Sequence, residues 1–535
     1  MLFRFGRLSL LAGLAVCLCS CSSSQPNGSD TATSQTDPGN DSADADVEVN
    51  VNPDVEVEVE TDDSVLQRNH HASRDANFLQ PLLTADAIAT MAPDTDFNAA
   101  FAGNMWASPL YMVDGPGHVG TFFAVTTSND VLALDENTGD TIWTANIGPA
   151  AAATGVSCGN IHPLGIISTP IIDASTRTIY VAGAIGTDTI ERHEVHALNV
   201  DDGTERAGFP VDVTGMQSGD QIFAAPPENQ RSALSLVNGI LYVTYGGHVG
   251  DCGPYHGWVV GIDTTDPSQR GAWATLGQGE GIWSPGGMPS DGQSVFAVTG
   301  NSTVLAADRT VSDSEQVVRL NGLAEVTRSD TNLFFPSIWK QMDSDDADFS
   351  AANAIYLSIP GSTPKNYIAA IAKDGTFYLL NSSHLGGMGG EVTSLSLATQ
   401  VHSSPATYTT QTGVHYVVST NSGAMCPPNG PTTQDVVVSV LLNAGSPPTP
   451  VIEWCAPMEG KMVTGVMATT SDGMSDPTVW YTSDGKLTAV DGETGEQLYQ
   501  SAEACANVRK WTTPIAVKGR IVAGGDNHLC SWSPH

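Results

Sequence analysis

Apolar and polar positions along this chain change character twice. Leu8 to Leu18 is an apolar run of about eleven residues, preceded by Arg4 and Arg7. Residues 22–63 then carry twelve Asp or Glu, no Lys or Arg and no aromatic residue. From about residue 100 onward, short β-rich runs recur, among them Thr121-Phe-Phe-Ala-Val-Thr, Thr178-Ile-Tyr-Val-Ala-Gly, Ile240-Leu-Tyr-Val-Thr-Tyr and Ser294-Val-Phe-Ala-Val-Thr. Gly, Asp, Asn and Pro bound each run, and helical periodicity is scarce. The pattern predicts an all-β domain of evenly spaced short strands.

A repeat organises those strands. Ala133-Leu-Asp135-Glu-Asn-Thr-Gly139-Asp-Thr-Ile-Trp143 returns as Ala489-Val-Asp491-Gly-Glu-Thr-Gly495-Glu-Gln-Leu-Tyr499, and in part as Ala197-Leu-Asn199-Val-Asp-Asp-Gly203. The small residue packs where strands crowd. The Asp or Asn starts a turn through a side-chain bond to backbone, and the Gly supplies positive φ. The aromatic opens the next strand and wedges between sheets. A second marker is Ser/Thr-Pro, at Ser108-Pro109, Thr169-Pro170, Ser284-Pro285, Ser404-Pro405 and Thr513-Pro514. Proline lacks the N–H for an interior ladder, so it belongs where a strand starts. With weaker matches near Ala233, Ala352 and Val466, these divide the chain into intervals of about 58 residues. Eight markers predict an eight-bladed β-propeller over 64–535, with seven blades as the alternative count. The short C-terminal unit, Trp511 to Trp532, needs residues before Pro109 to complete its outer strand and close the ring.

These repeats resemble the quinoprotein alcohol-dehydrogenase-like (PQQ-type) propeller superfamily. The unit at 133–143 looks like its tryptophan-docking motif, and Thr512-Thr-Pro through Asn527-His-Leu looks like the opening of a PQQ-type repeat. Gln230-Arg231-Ser-Ala-Leu, Tyr255-His256-Gly257-Trp258, Gly281-Ile-Trp283 and the opening Val65 to Thr84 resemble a narrower group of exported PQQ-like propellers without a settled function. The resemblance implies the fold. For the enzymes of the superfamily it also implies PQQ with calcium, a disulfide between adjacent cysteines, a Glu, Asn and Asp calcium set, and an Asp base. No two cysteines of the mature part are adjacent.

The N-terminus reads as a lipoprotein signal over 1–20. Leu18-Cys19-Ser20-Cys21 places Leu at −3 and a small residue at −1, so Cys21 is the expected lipidation site. Ser22 at the next position favours the outer membrane, facing the periplasm or the cell surface. The acidic stretch that follows, through residue 63, is expected to be a self-extending tether. A net charge of −37, from 21 basic and 58 acidic residues, repels phosphate backbones and argues against a nucleic-acid partner. The membrane, through the anchor, and an envelope protein or glycan are the expected partners. Six cysteines remain beyond the signal, and pairing neighbours gives Cys158–Cys252, Cys426–Cys455 and Cys505–Cys530.

Candidate chemistry is sparse. Arg231, His256, Trp258 and Trp283 form the candidate ligand set at one mouth of the channel. His248 and His256, flanking Cys252 at four-residue spacing, are weaker metal candidates in a Gly- and Pro-containing loop. Asp343-Ser-Asp345-Asp346-Ala-Asp348 reads as a solvated acidic loop without the Gly and Glu of an EF-hand. No Gly-x-Ser-x-Gly, phosphate loop or His-Glu-x-x-His occurs, and no catalytic residue is assigned. The expectation is a non-catalytic binding propeller that needs no cofactor. A quinoprotein-like or metal-dependent oxidoreductase, with PQQ and calcium, is the alternative, and an outer-membrane assembly factor a third reading.

Overall fold

The computed structural model describes residues 64–421, 425–428, 430–431, 435–460 and 463–535. The signal, Cys21 and the acidic tether lie outside the described residues. Among those described, no helix is long and apolar enough to cross a membrane.

Eight sheets follow one another along the chain as the blades of an all-β propeller. Blade 1 is typical, with strands Leu110–Met112, Thr121–Val125, Asp130–Asp135 and Thr141–Asn146 paired antiparallel in sequence order. The inner strands of blades 2, 6 and 8 start directly after Pro170, Pro405 and Pro514, as that of blade 1 starts after Pro109. The weaker markers hold as well. Ser235–Val237, Ile355–Ser358 and Met467–Thr470 open blades 3, 5 and 7. The Ser and Thr before each Pro have a role beyond the turn, because they stitch blades together. Thr513 N–H donates to Ser108 Oγ at 2.7 Å across the ring closure, and Ser108 N–H donates to Thr169 Oγ1 at 3.0 Å.

The docking unit works as its residue types require. Asp135 Oδ1 accepts the Asn137 and Thr138 N–H groups, each at 2.9 Å, and Gly139 takes φ 78°. Trp143 then lies over the matching turn of blade 2. A Cβ on Gly203 would stand 2.8 Å from its ring, and its indole donates to the Val200 carbonyl at 2.9 Å. Trp454, which the repeat pattern did not single out, docks on Gly495 of blade 7 in the same way, donating to Gly492 at 2.8 Å. Consecutive sheets thus share buried apolar clusters rather than each closing its own core.

Blade 4 is irregular. Its inner position is reduced to one bridge, Ser290 to Val295, and its outer strand, Gly387–Met388, comes from the blade 5 segment and pairs parallel. No docking unit follows Val317–Leu320. The chain instead forms the helix Trp339–Asp345, ended by Asp346 in the left-handed region at φ 55°. Blade 8 is completed by Met91–Pro93 and Ala99–Ala100 against His528–Pro534, which closes the ring as the short C-terminal unit demanded.

Residues 65–80 plug the channel. Inner strands expose an unpaired edge to the axis, and this segment pairs with it blade by blade. The N–H groups of Ile172, Ser290, Tyr356, Thr407 and Ala468 donate to the carbonyls of Leu66, Ala72, Ser73, Asp75 and Ala76 at 2.7–3.0 Å. Val65 exchanges two bonds with Tyr111, and Gln80 Oε1 accepts the Gly519 N–H at 2.7 Å. Blade 3 is reached by Arg74, whose guanidinium donates to the Leu234 carbonyl and Ser235 Oγ at 2.7 Å, to Arg68 O at 2.7 Å and to Met288 O at 3.1 Å. All eight blades are engaged by one segment.

Three disulfides join Cys158 to Cys252, Cys426 to Cys455 and Cys505 to Cys530, with Cα separations of 5.8, 5.8 and 5.9 Å.

Candidate functional site

The mouth of the channel adjoins the plug, whose Arg68 donates to the Trp511 carbonyl at 2.8 Å. Its walls are the segments just before the inner strands and the loops between the second and third strands of blades 3, 4 and 5. These hold a cavity of about 170 Å³. Blade 3 contributes Arg231 and the loop 247–255, blade 4 Trp283 and Asn301, blade 5 Asp348 and Lys373, and blade 8 Trp511. Gly246 and Gly281 let two walls meet, since a Cβ on Gly246 would stand 3.0 Å from Gly281 Cα. The disulfide Cys158–Cys252 ties the loop that carries Val249, Gly250 and Asp251 to the segment before blade 2. A second cavity of about 150 Å³ beside the helix Trp339–Asp345 shares Asp346 and Lys373 with the first.

Arg231 dominates this mouth. Its side chain is 93% buried (7% exposed), with the guanidinium 4.5 Å from the Trp511 ring centroid and 5.6 Å from that of Trp283. Among the described residues, neither its Nε nor its Nη2 has a hydrogen-bond partner. Burial lowers its pKa to about 10, so it is a cation at neutral pH. Lys510 borders Trp511 at 5.4 Å and is pushed down by burial and by the charges of Arg231 and Lys373.

The acidic residues stand opposite. Lys373 Nζ meets Asp346 Oδ2 at 2.6 Å and Asp348 Oδ2 at 3.5 Å. Asp348 Oδ1 accepts the Asn301 N–H at 3.0 Å. Burial raises the Asp348 carboxyl to about 6. Asp251 accepts the Tyr255 hydroxyl at 2.7 Å. The acidic run 343–348 is therefore not a solvated loop throughout. Asp343 is buried, accepting Ser302 N–H and Ser314 Oγ–H at 2.9 Å each, and of the four aspartates only Asp345 and Asp346 face solvent.

Arg231 and Trp283 thus meet at the mouth, whereas Trp258 and His256 do not line it. Trp258 is fully buried between blades against Phe223, ring centroids 5.3 Å apart, and donates to Glu228 Oε1 at 3.2 Å. His256 is half-buried, with its N–H on the same Glu228 oxygen at 3.0 Å. Burial lowers its pKa. His248 does line the mouth, held at Nε2 by the Pro226 carbonyl at 3.0 Å and lowered to about 4 by burial. Cys252 is consumed in its disulfide, so the spacing of His248, Cys252 and His256 yields no thiolate ligand set. Among the described residues, the one close group of three such ligands is Cys505, His528 and Cys530, two of which are already joined. Asn301, Asp348, Lys373 and Trp511 were missed by sequence reasoning. Each is ordinary in its local sequence, and only the radial fold brings it to the axis.

No family model and no curated protein matches the chain. Solved structures do. A quinohemoprotein alcohol dehydrogenase of Pseudomonas putida HK5 aligns with TM-score 0.61 and 14% identity over 88% of this chain and 80% of that one. The quinohemoprotein alcohol dehydrogenase of Comamonas testosteroni gives 0.59 and 15% over 88% and 80%. A europium-containing methanol dehydrogenase gives 0.59 and 14% over 86% and 90%. The fold is that of the PQQ-type quinoprotein propellers. At these identities the likeness extends to the fold alone.

The mouth does not fit a quinone with its calcium. Asn301 and Asp348 are of the types the resemblance implies, but no Glu lines the cavity and no adjacent cysteines exist. The guanidinium of Arg231 already lies against the Trp283 and Trp511 rings, where a flat cofactor would stack.

Proposed function

We propose that this chain is a ligand-binding propeller of the cell envelope, anchored through Cys21 at the outer membrane, that holds a small molecule or glycan terminus in its axial mouth without transforming it. The observation that carries this reading is Arg231, a buried cation without a hydrogen-bond partner between two tryptophans. Such a group costs folding free energy unless a ligand completes it. The mix of aromatic faces with few polar groups is the ordinary make-up of a small-molecule site.

The second reading, a quinoprotein-like oxidoreductase, is favoured by Asn301 and Asp348 beside Trp283. One experiment separates them. The full chain is incubated with PQQ and calcium and assayed for dye-linked oxidation of alcohols and sugars. No turnover above background is expected, and turnover that depends on both additions would replace the first reading by the second. Palmitate labelling that survives in the wild type and disappears in Cys21→Ala checks the anchor.

A further inference from the structure

The geometry points to a sugar acid, a ligand with one carboxylate and several hydroxyls, as the occupant of the axial mouth; this rests on the ligand-binding reading above. Two features of the site decide the class, and they pull in different directions.

The first is the free guanidinium. Arg231 lines the cavity as a cation, and its Nε and Nη2, themselves buried, have no hydrogen-bond partner among the described residues. Among the described residues, no acidic side chain forms an ion pair with it. Its nearest carboxylate influence is Asp251, which is already engaged by Tyr255. A neutral ligand would leave this cation without a counter-charge, and an anion supplies one.

The second is the acceptor side. Asp251, Asp346 and Asp348 line the same cavity, and Lys373 offsets only part of their charge. Three carboxylates repel a multiply charged anion such as a phosphate ester or a tricarboxylate. They accept well from hydroxyls. Trp283 and Trp511 add apolar faces of the kind that the C–H side of a sugar ring covers. One anion toward Arg231 and several hydroxyls toward the aspartates describe a uronic or aldonic acid. Of the plainer classes, a simple carboxylate leaves the aspartates unused and a neutral sugar leaves Arg231 unused.

The cavity of about 170 Å³ suits a single ring. The adjoining cavity, entered past Asp346 and Lys373, leaves room for the residue to be the terminus of a longer glycan.

The test uses the full chain and four probes, D-glucuronate, its methyl ester, D-glucose and acetate, by titration calorimetry alongside tryptophan fluorescence. Glucuronate is expected to bind at least about tenfold tighter than each of the other three. Arg231→Gln is expected to lose that advantage, and Arg231→Lys to recover part of it, since it returns charge without the fork. The methyl ester asks the same question with no mutation, so the test survives a variant that does not fold. Equal affinity for glucuronate and its ester, or no detectable glucuronate binding at about 10 mM, overturns the sugar-acid assignment. Neither result bears on turnover with PQQ, so the binding reading and this assignment fail by different measurements.

Discussion

Arg74 and Arg231 are both buried arginines at the inner ends of blade 3, one in the plug and one in the mouth, and they differ in a single respect. Arg74 is completely buried and donates to four acceptors, reaching blade 3, blade 4 and the plug itself. Arg231 is almost as buried, and its Nε and Nη2 donate to no group among the described residues. Burial lowers the first to about 9 and the second to about 10, so both are charged at neutral pH. Burial of a cation does not distinguish structure from function here. The count of its partners does, because a satisfied charge holds the fold and an unsatisfied one waits for something else.

The comparison is broken most directly by removing the plug arginine. Arg74→Met strips four charge-assisted bonds and strands the Arg68 and Leu234 carbonyls inside the ring, while Ser235 Oγ–H keeps its bond to the Met288 carbonyl at 2.9 Å. We expect a loss of about 3 kcal/mol or more in urea unfolding with the disulfides intact. A midpoint within error of the wild type would mean that the plug does not hold the blades.

The disulfide Cys158–Cys252 belongs to the mouth rather than to the plug. Replacing both cysteines by Ser is expected to cost about 2–4 kcal/mol in the same measurement. Because the bridge ties down the loop carrying Asp251, glucuronate affinity should fall several-fold as well. Full stability loss with unchanged affinity would detach that wall from the site.

Arg231→Met sharpens the contrast from the other side. It removes a charge that no protein group satisfies, so stability should stay level or rise by up to about 1 kcal/mol, while glucuronate binding disappears. A loss comparable to that of Arg74→Met would show that Arg231 has hidden partners and would remove the reason for calling the mouth a binding site.

The two regions also differ in what their sequences disclose. The Ser/Thr-Pro markers and the Asp135, Asp491 and Gly139 turns are local, so the blade count, the inner strands and the closure by residues before Pro109 could be read from spacing. Cysteine pairing was legible because a ring of consecutive sheets keeps cysteines that follow one another along the chain close in space, within one blade for Cys426–Cys455. The site was legible only in part. Arg231 and Trp283 were singled out together and do meet, but Trp258, two residues from His256, packs inward because strands alternate sides and its side of Trp258–Asp263 faces the shared core. Asp348 and Lys373 were hidden, since they lie on a different blade and a ring converts distance along the chain into proximity at its centre. The plug was hidden for another reason. Most of its bonds come from backbone groups of residues 65–80, and backbone bonding leaves no pattern of residue types.

The smallest predicted effect is a pH dependence, and it isolates the acceptor side of the mouth. Asp348 titrates near 6 because burial disfavours its charge, with Asp346 adding to the rise and Lys373 and the Asn301 N–H opposing it. Asp343 and Glu315, on the neighbouring blade 4 segments, are also raised by burial. His248, the histidine lining the same cavity, has fallen to about 4 and stays neutral above pH 5. Between pH 7 and pH 5 the mouth therefore gains a proton at Asp348 and loses one negative charge. A glucuronate anion is repelled less at pH 5, so its affinity should rise a few-fold as pH falls, with a midpoint near 6. The raised pKa means that the folded state holds the proton more tightly than the unfolded chain, so stability, too, declines as pH climbs from about 4 toward 6 and levels off above. Asp348→Asn should flatten the affinity profile while keeping the side-chain acceptor for a sugar hydroxyl. A profile that stays steep in Asp348→Asn would assign the titration to Asp343 or Glu315 and move the acceptor side of the site one blade away.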